Sequence, residues 1–177
     1  EFLTEVDKGL MGSLSDETGP LVLAGVQNIR AAYANLSDYP NILSKGIEGN
    51  PEQLKEDELH QAPWNIVQPL IAEKVEKATE KYGDLSSSGR TSTNLGEILS
   101  AVYQGRVDTL FAGRNRCVWG TFNHQTNRIH IHTEPKKMDE DLLNLAVVQT
   151  LLTRGKVYMP LAEQMPGEVA QAAIFRY

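Results

Sequence analysis

The stretch NLGEILSAVYQGRVDTLF, residues 94–111, decides the fold, because it carries a helix into a strand through one glycine. Asn94 stands at a helix N-cap, with Glu97 three residues on at the capping-box spacing. Leu95, Ile98, Leu99 and Val102 recur at helical spacing and supply one apolar face. Gly105 falls where a C-cap glycine belongs, since a residue without Cβ enters the left-handed region at no steric cost. Val107 to Phe111 then reads as a strand.

Toward the C-terminus, Cys117–Phe122 and Arg128–His132 read as a hairpin around 123–127. Asp139–Arg154 reads as a helix with Asp139, Glu140 and Asp141 at its positive end. Its core face is Leu142, Leu143, Ala146, Val147, Thr150 and Leu151, and Gly155 ends it. Val157-Tyr158-Met159, a loop bounded by Pro160 and Pro166, and a last strand at Ala172–Phe175 close the chain. Before residue 94, a long helix from Trp64 holds Ile66, Val67, Leu70, Ile71, Val75, Ala78 and Tyr82 on one stripe. Pro63 and Pro69 predict a start or kink there, and Ser86–Ser92 reads as a polar loop. The order is helix, helix, strand, hairpin, helix, strand, strand, which predicts a mixed α/β sandwich.

The first 60 or so residues read differently. Phe2, Val6, Leu10 and Leu14 form a helical stripe, Ser15–Pro20 breaks it, and Leu21–Ala24 reads as a strand buried on both faces. A short helix through Ile29, Ala32, Tyr33 and Leu36 follows, and Ile42–Leu54 reads as a connector. A single strand leaves both edges unpaired, so this helix-strand-helix piece is expected to be the tail of a larger domain. The opening at Glu1, without methionine, agrees with that expectation.

The chain has 177 residues, 41% hydrophobic and 23% charged, enough for a real core in one domain with part of another. No apolar run approaches the ~20 residues of a membrane helix, and the start lacks a signal-peptide pattern, so a cytoplasmic protein with no membrane partner is expected. A net charge of −6 disfavours a free-standing RNA-binding role. Cys117 is the sole cysteine, which excludes an internal disulfide and a multi-cysteine zinc site. In the apolar run 117–120 it reads as a small buried hydrophobe.

His130 and His132, two apart in a predicted strand, share a face, and His124 on the facing strand could approach them. Three imidazoles could hold zinc, but no carboxylate accompanies them at a ligand spacing, so exposed side chains on a polar hairpin are the expectation, with no metal and no cofactor. The acidic runs Glu56-Asp57-Glu58 and Asp139-Glu140-Asp141 sit at helix starts, where the helix dipole accounts for them without catalysis. Arg106, Arg114 and Arg116 bracket the strand at Val107 and are the candidate contacts for RNA or an acidic partner, weighed against a solvated sheet edge.

Gly105-Arg106-Val107-Asp108-Thr109-Leu110, then Trp119-Gly120, then Asp141-Leu142-Leu143-Asn144, then Ala172-Ala173-Ile174-Phe175-Arg176-Tyr177 follow one another in an order that resembles the third domain of the archaeo-eukaryotic peptide-chain release factors and Pelota. Phe2-Leu3 and Pro20-Leu21-Val22-Leu23-Ala24-Gly25 resemble the last helix-strand-helix of that family's middle domain, and the wording is nearest its bacterial offshoot. The resemblance implies a mixed-sheet α/β/α sandwich at 62–177, preceded at 1–61 by the remnant of a ribonuclease-H-like middle domain. It implies a non-catalytic module that docks a protein partner, a translational GTPase or the ribosome. Two other readings stay open: a kink-turn-type RNA-binding domain, and part of a peptidyl-tRNA hydrolase whose Gly-Gly-Gln loop lies before Glu1.

Overall fold

A run of four buried residues, Ala172, Ala173, Ile174 and Phe175, makes the last strand, β7 (Gln171–Phe175), one that is covered on both faces. The computed structural model describes residues 1–14, 17–50, 53 and 55–177, in two compact units, 1–72 and 73–177. In the second unit, β7 lies between β1 (Thr91–Ser92) and β2 (Val107–Ala112), antiparallel to both. Strand β6 (Lys156–Tyr158) pairs parallel to β2, giving a mixed sheet of order β1-β7-β2-β6.

Side-chain alternation sorts this sheet into two layers. Ala173 and Phe175 face helices α4 (Leu95–Tyr103) and α5 (Leu142–Leu152), in a core that includes Ile98, Leu99, Val102, Leu142 and Ala146. Ala172 and Ile174 join Phe111 on the opposite face, under Ala78, Tyr82 and Leu85 of α3 (Glu56–Leu85). Tyr82 meets Phe111 edge-on at 6.2 Å between centroids, the geometry that aromatic quadrupoles favour. Val107 and Leu110 both face α4 and α5 although they are three apart. The ladder explains it: Val107 pairs with Phe175 and Thr109 with Ile174, so a bulge at Asp108 inserts one residue and restores the facing. The α/β/α sandwich with a mixed sheet expected from the sequence is the fold of this unit.

A second antiparallel sheet, β4-β3-β5, consists of β3 (Trp119–Asn123), β4 (Arg128–Ile131) and β5 (Glu140–Asp141). Val118, Phe122 and Ile129 pack it against the α4/α5 core. Gly120 permits the pairing with β4, because a Cβ there would run into the carbonyl oxygen of His130.

The local signals around residue 94 act as read, with one change. Asn94 accepts the Glu97 N–H at 3.1 Å, while the Glu97 carboxylate accepts the Ser92 hydroxyl at 2.6 Å, whose oxygen in turn accepts the Asn94 N–H at 3.0 Å. The box is closed through Ser92 instead of directly. At the other end Gly105 has φ 67°, with Gly105 N–H on Val102 O and Arg106 N–H on Ala101 O, the two bonds of a Schellman cap.

In the first unit, α1 (Phe2–Leu14) and α2 (Gln27–Leu36) form where the stripes predict. Tyr33 on α2 donates to Asp7 on α1 at 2.9 Å, and Tyr39 donates to the Gly19 carbonyl at 2.7 Å; both rings are buried. Leu21–Ala24 is not a continuous strand. It makes isolated parallel bridges, Leu21 to Ile42 and Ala24 to Ile47, so the segment read as a connector supplies its partner. Extra residues between the two bridges break the ladder, since two residues intervene between Leu21 and Ala24 and four between Ile42 and Ile47.

Other differences have local causes. Helix α3 begins at Glu56, earlier than Trp64, and runs through both prolines. Pro63 falls in its second turn, and Pro69 leaves the helix unbroken, so neither sets the start. Thr91 and Ser92, read as loop, become β1 by pairing with Ile174 and Ala173. Cys117 is exposed, outside the strand, because pairing begins only at Trp119. Glu140 and Asp141, read as helix, pair with β3 instead, and the helix starts at Leu142. Ser15 and Asp16 of the predicted break, and Pro51, Glu52 and Leu54 of the predicted connector, lie outside the described residues.

Candidate docking surface

Helix α5 carries apolar side chains on every side, with Asn144, Gln149 and Thr150 its polar residues, a composition that suits a helix covered all round. Only one side is covered. Leu142, Leu143, Ala146 and Thr150 are buried, and the Thr150 hydroxyl satisfies itself on the Ala146 carbonyl at 2.7 Å. Val148, Leu151 and Leu152 remain 42%, 57% and 71% exposed. They are three and four residues apart, so they form one stripe on the outer face. Asp141 caps the helix, its Oδ1 accepting from the N–H groups of Leu143 and Val118, each at 3.1 Å. That bond ties α5 to the loop before β3 and fixes which side faces out. Leu151, assigned to the core face from periodicity, belongs to this outer stripe, and Val148 and Leu152 were not singled out at all; apolar residues on every side of the helix gave the only available signal.

At the C-terminal end of α5, Arg154 takes a positive φ of 59° and is exposed. Arg176 donates to the Thr153 carbonyl at 2.9 Å, one of the orphan acceptors of the last turn. The Arg176 N–H donates to the Arg106 carbonyl, and Arg90 donates to the Arg176 carbonyl at 2.7 Å. Arg106 lies between the rings of Phe175 and Tyr177, 5.5 Å from each centroid, and donates to the Tyr177 carbonyl at 2.9 Å.

The three arginines singled out from sequence do not converge. Arg106 precedes β2 and Arg114 and Arg116 follow it, about 20 Å apart along a six-residue strand. Arg114 donates to the Met159 carbonyl at 2.6 Å, and Arg116 is exposed. The histidines are likewise held apart in role. His124 lies in the turn, not on a strand, and stacks on Tyr103 at 5.0 Å. His130 lies opposite Thr121 on β4, and His132, just past that strand, meets the Asp139 carboxylate at 2.8 Å through Nδ1. Among the described residues no three His, Cys, Asp or Glu side chains gather as a metal site.

The ionisable groups near these elements serve structure. Burial pushes the Asp139 carboxyl up, and the Lys136 N–H and the His132 ring outweigh that push, holding it below the usual carboxylate range. Asp108 is treated alike: burial raises it, and its bond to Lys81 at 2.7 Å with the neighbouring Thr109 and Lys156 brings it below the usual value. Cys117 is pushed up by desolvation and then by Asp141, away from a thiolate nucleophile. No helix among the described residues is long and apolar enough to cross a membrane.

The fold is that of the C-terminal domain of archaeal release factors and Pelota. The C-terminal domain of the peptide chain release factor from Methanosarcina mazei superposes with a TM-score of 0.53 at 15% identity, over 71% of this chain and 97% of that one. Archaeal Pelota, in a model of its ribosome-bound form with ABCE1, superposes with a TM-score of 0.57 at 15% identity over 99% of this chain and 48% of its own. The present chain thus spans about half the length of that Pelota. The model of the bacterial archaeo-eukaryotic release factor family 3 matches residues 1–106, and the chain belongs to that family. No curated protein matches the sequence.

Proposed function

We propose that residues 62–177 form a non-catalytic docking module of a translation-associated, cytoplasmic protein, and that residues 1–61 are the remnant of a ribonuclease-H-like middle domain. The observation that carries the reading is the outer face of α5, where Val148, Leu151 and Leu152 stand in solvent on a predominantly apolar helix. Family membership supplies the setting: the Pelota relative is ribosome-bound, and a ribosome or a translational GTPase riding on it is the partner assigned to this face. The residues with altered ionisation bond to structural partners, which supports a binding role over chemistry.

The test is co-sedimentation of the 177-residue chain with ribosomes from cell extract on a sucrose gradient. The expected outcome is retention of the wild type and loss of the Leu151→Asp/Leu152→Asp variant. Both positions are more than half exposed, so the substitutions leave the core intact. Equal behaviour of the two proteins, whether both sediment or neither does, overturns the reading.

A further inference from the structure

The end of α5 is rimmed by cations in a chain whose net charge is −6. Arg154 is the exposed residue after the last turn, Arg176 lies against the Thr153 carbonyl, and Arg106 and Arg90 follow through the bonds described above. Among the described residues none of these four arginines has an Asp or Glu side chain within 4 Å; the ion pairs all involve other residues. The carboxylates on the neighbouring elements are already engaged, Glu97 by the Ser92 hydroxyl and Asp108 by Lys81. Helix C-termini attract cations, which accounts for Arg176 on Thr153. It does not account for Arg106, which faces an open depression with Ser100, Gln104 and Asn127 and leaves its Nε buried without a partner.

We infer that this surface takes an acidic protein segment, whose apolar side chains cover Val148, Leu151 and Leu152 and whose carboxylates meet Arg154, Arg176 and Arg106. The inference rests on the docking reading and gives the partner its chemistry. Apolar contact supplies the affinity, and the arginine rim supplies orientation and discrimination. Guanidinium forks match carboxylates in pairs of hydrogen bonds, and Arg106, already held against the rings of Phe175 and Tyr177, loses little freedom in making them.

A display library of helical peptides tests this, with an apolar stripe fixed and the flanking positions randomised among Glu, Lys and Gln, selected on the immobilised 177-residue chain. Glu is expected to dominate the flanks. A synthetic peptide of the selected sequence is expected to bind about tenfold more weakly when salt is raised from about 0.05 to about 0.5 M. Leu152→Asp removes that binding, and Arg154→Glu weakens it about tenfold and turns the preference toward Lys. Arg and Glu are equally strained at the positive φ of residue 154, so the exchange reports charge. Selection without Glu, loss of all peptides, or binding indifferent to Leu152→Asp overturns the inference, as does a structured RNA that outcompetes the acidic peptide. Peptides that need Leu152 but ignore charge overturn the acidic partner alone; the docking reading falls only with the sedimentation result.

Discussion

Helices α1 and α4 both carry a regular apolar stripe, and they end in opposite circumstances. No residue of α1 is buried, and Phe2 and Val6 stand 79% and 43% exposed. All four stripe residues of α4 are buried, three of them completely. The N-terminal unit joins its helices through the hydroxyl bond of Tyr33, and its connecting segments through that of Tyr39 and a broken parallel ladder. The C-terminal unit holds its helices by burying them on a four-stranded sheet. An apolar stripe announces a helix, and only a sheet to receive it makes a core.

The largest effect expected from that contrast is at Ile98. Ile98→Ala removes a fully buried side chain and should cost about 2–5 kcal/mol, whereas Val6→Ala on α1 should cost less than about 0.5 kcal/mol. Urea denaturation of the whole chain measures both, and similar losses would break the distinction. A smaller effect belongs to Tyr33→Phe, which strands Asp7 and should cost about 1 kcal/mol. Amide exchange should register it within residues 1–50 while the C-terminal sheet keeps its protection; a loss of protection in the sheet would contradict independent units. The finest test is acid. Asp139 has its carboxyl held low in the fold, so its contribution is complete above the usual Asp range of about pH 4 and disappears as pH falls through the lowered folded value. Asp139→Asn should therefore lower stability at neutral pH and flatten the decline between about pH 4 and pH 2; a decline as steep as that of the wild type assigns it to other carboxylates.

How much of this was legible follows from how local each signal is. The cap at Asn94, the stripe of α4 and the turn at Gly105 lie within a dozen residues and were read correctly, because each is satisfied by near neighbours. Thr91 and Ser92 carry no strand signal of their own and become a strand only because β7 arrives alongside. Glu140 and Asp141 are good helix-start residues diverted by Trp119 and Gly120, twenty residues upstream. Periodicity failed on α5 for a different reason. When every face is apolar, the pattern cannot say which one is left for a partner, and Leu151 was placed inside. The histidines illustrate the same limit from the other side: two positions apart in sequence, His130 and His132 are parted by the end of β4 and by the claim of Asp139 on one of them.

The bulge at Asp108 sets β2 out of phase with itself. Val107 and Leu110 are read by the same layer of helices, so the strand takes three steps where its partner takes two. A deletion of one residue would be absorbed anywhere in an exposed loop, and here Asp108 is the one whose removal would keep the layers: Val107 and Leu110 would stand two apart and still face the same helices, with the bond to Lys81 lost. The length of this six-residue strand is therefore part of its message: a single residue can leave it without exchanging the layers only at the bulge, where the partner strand has none to match.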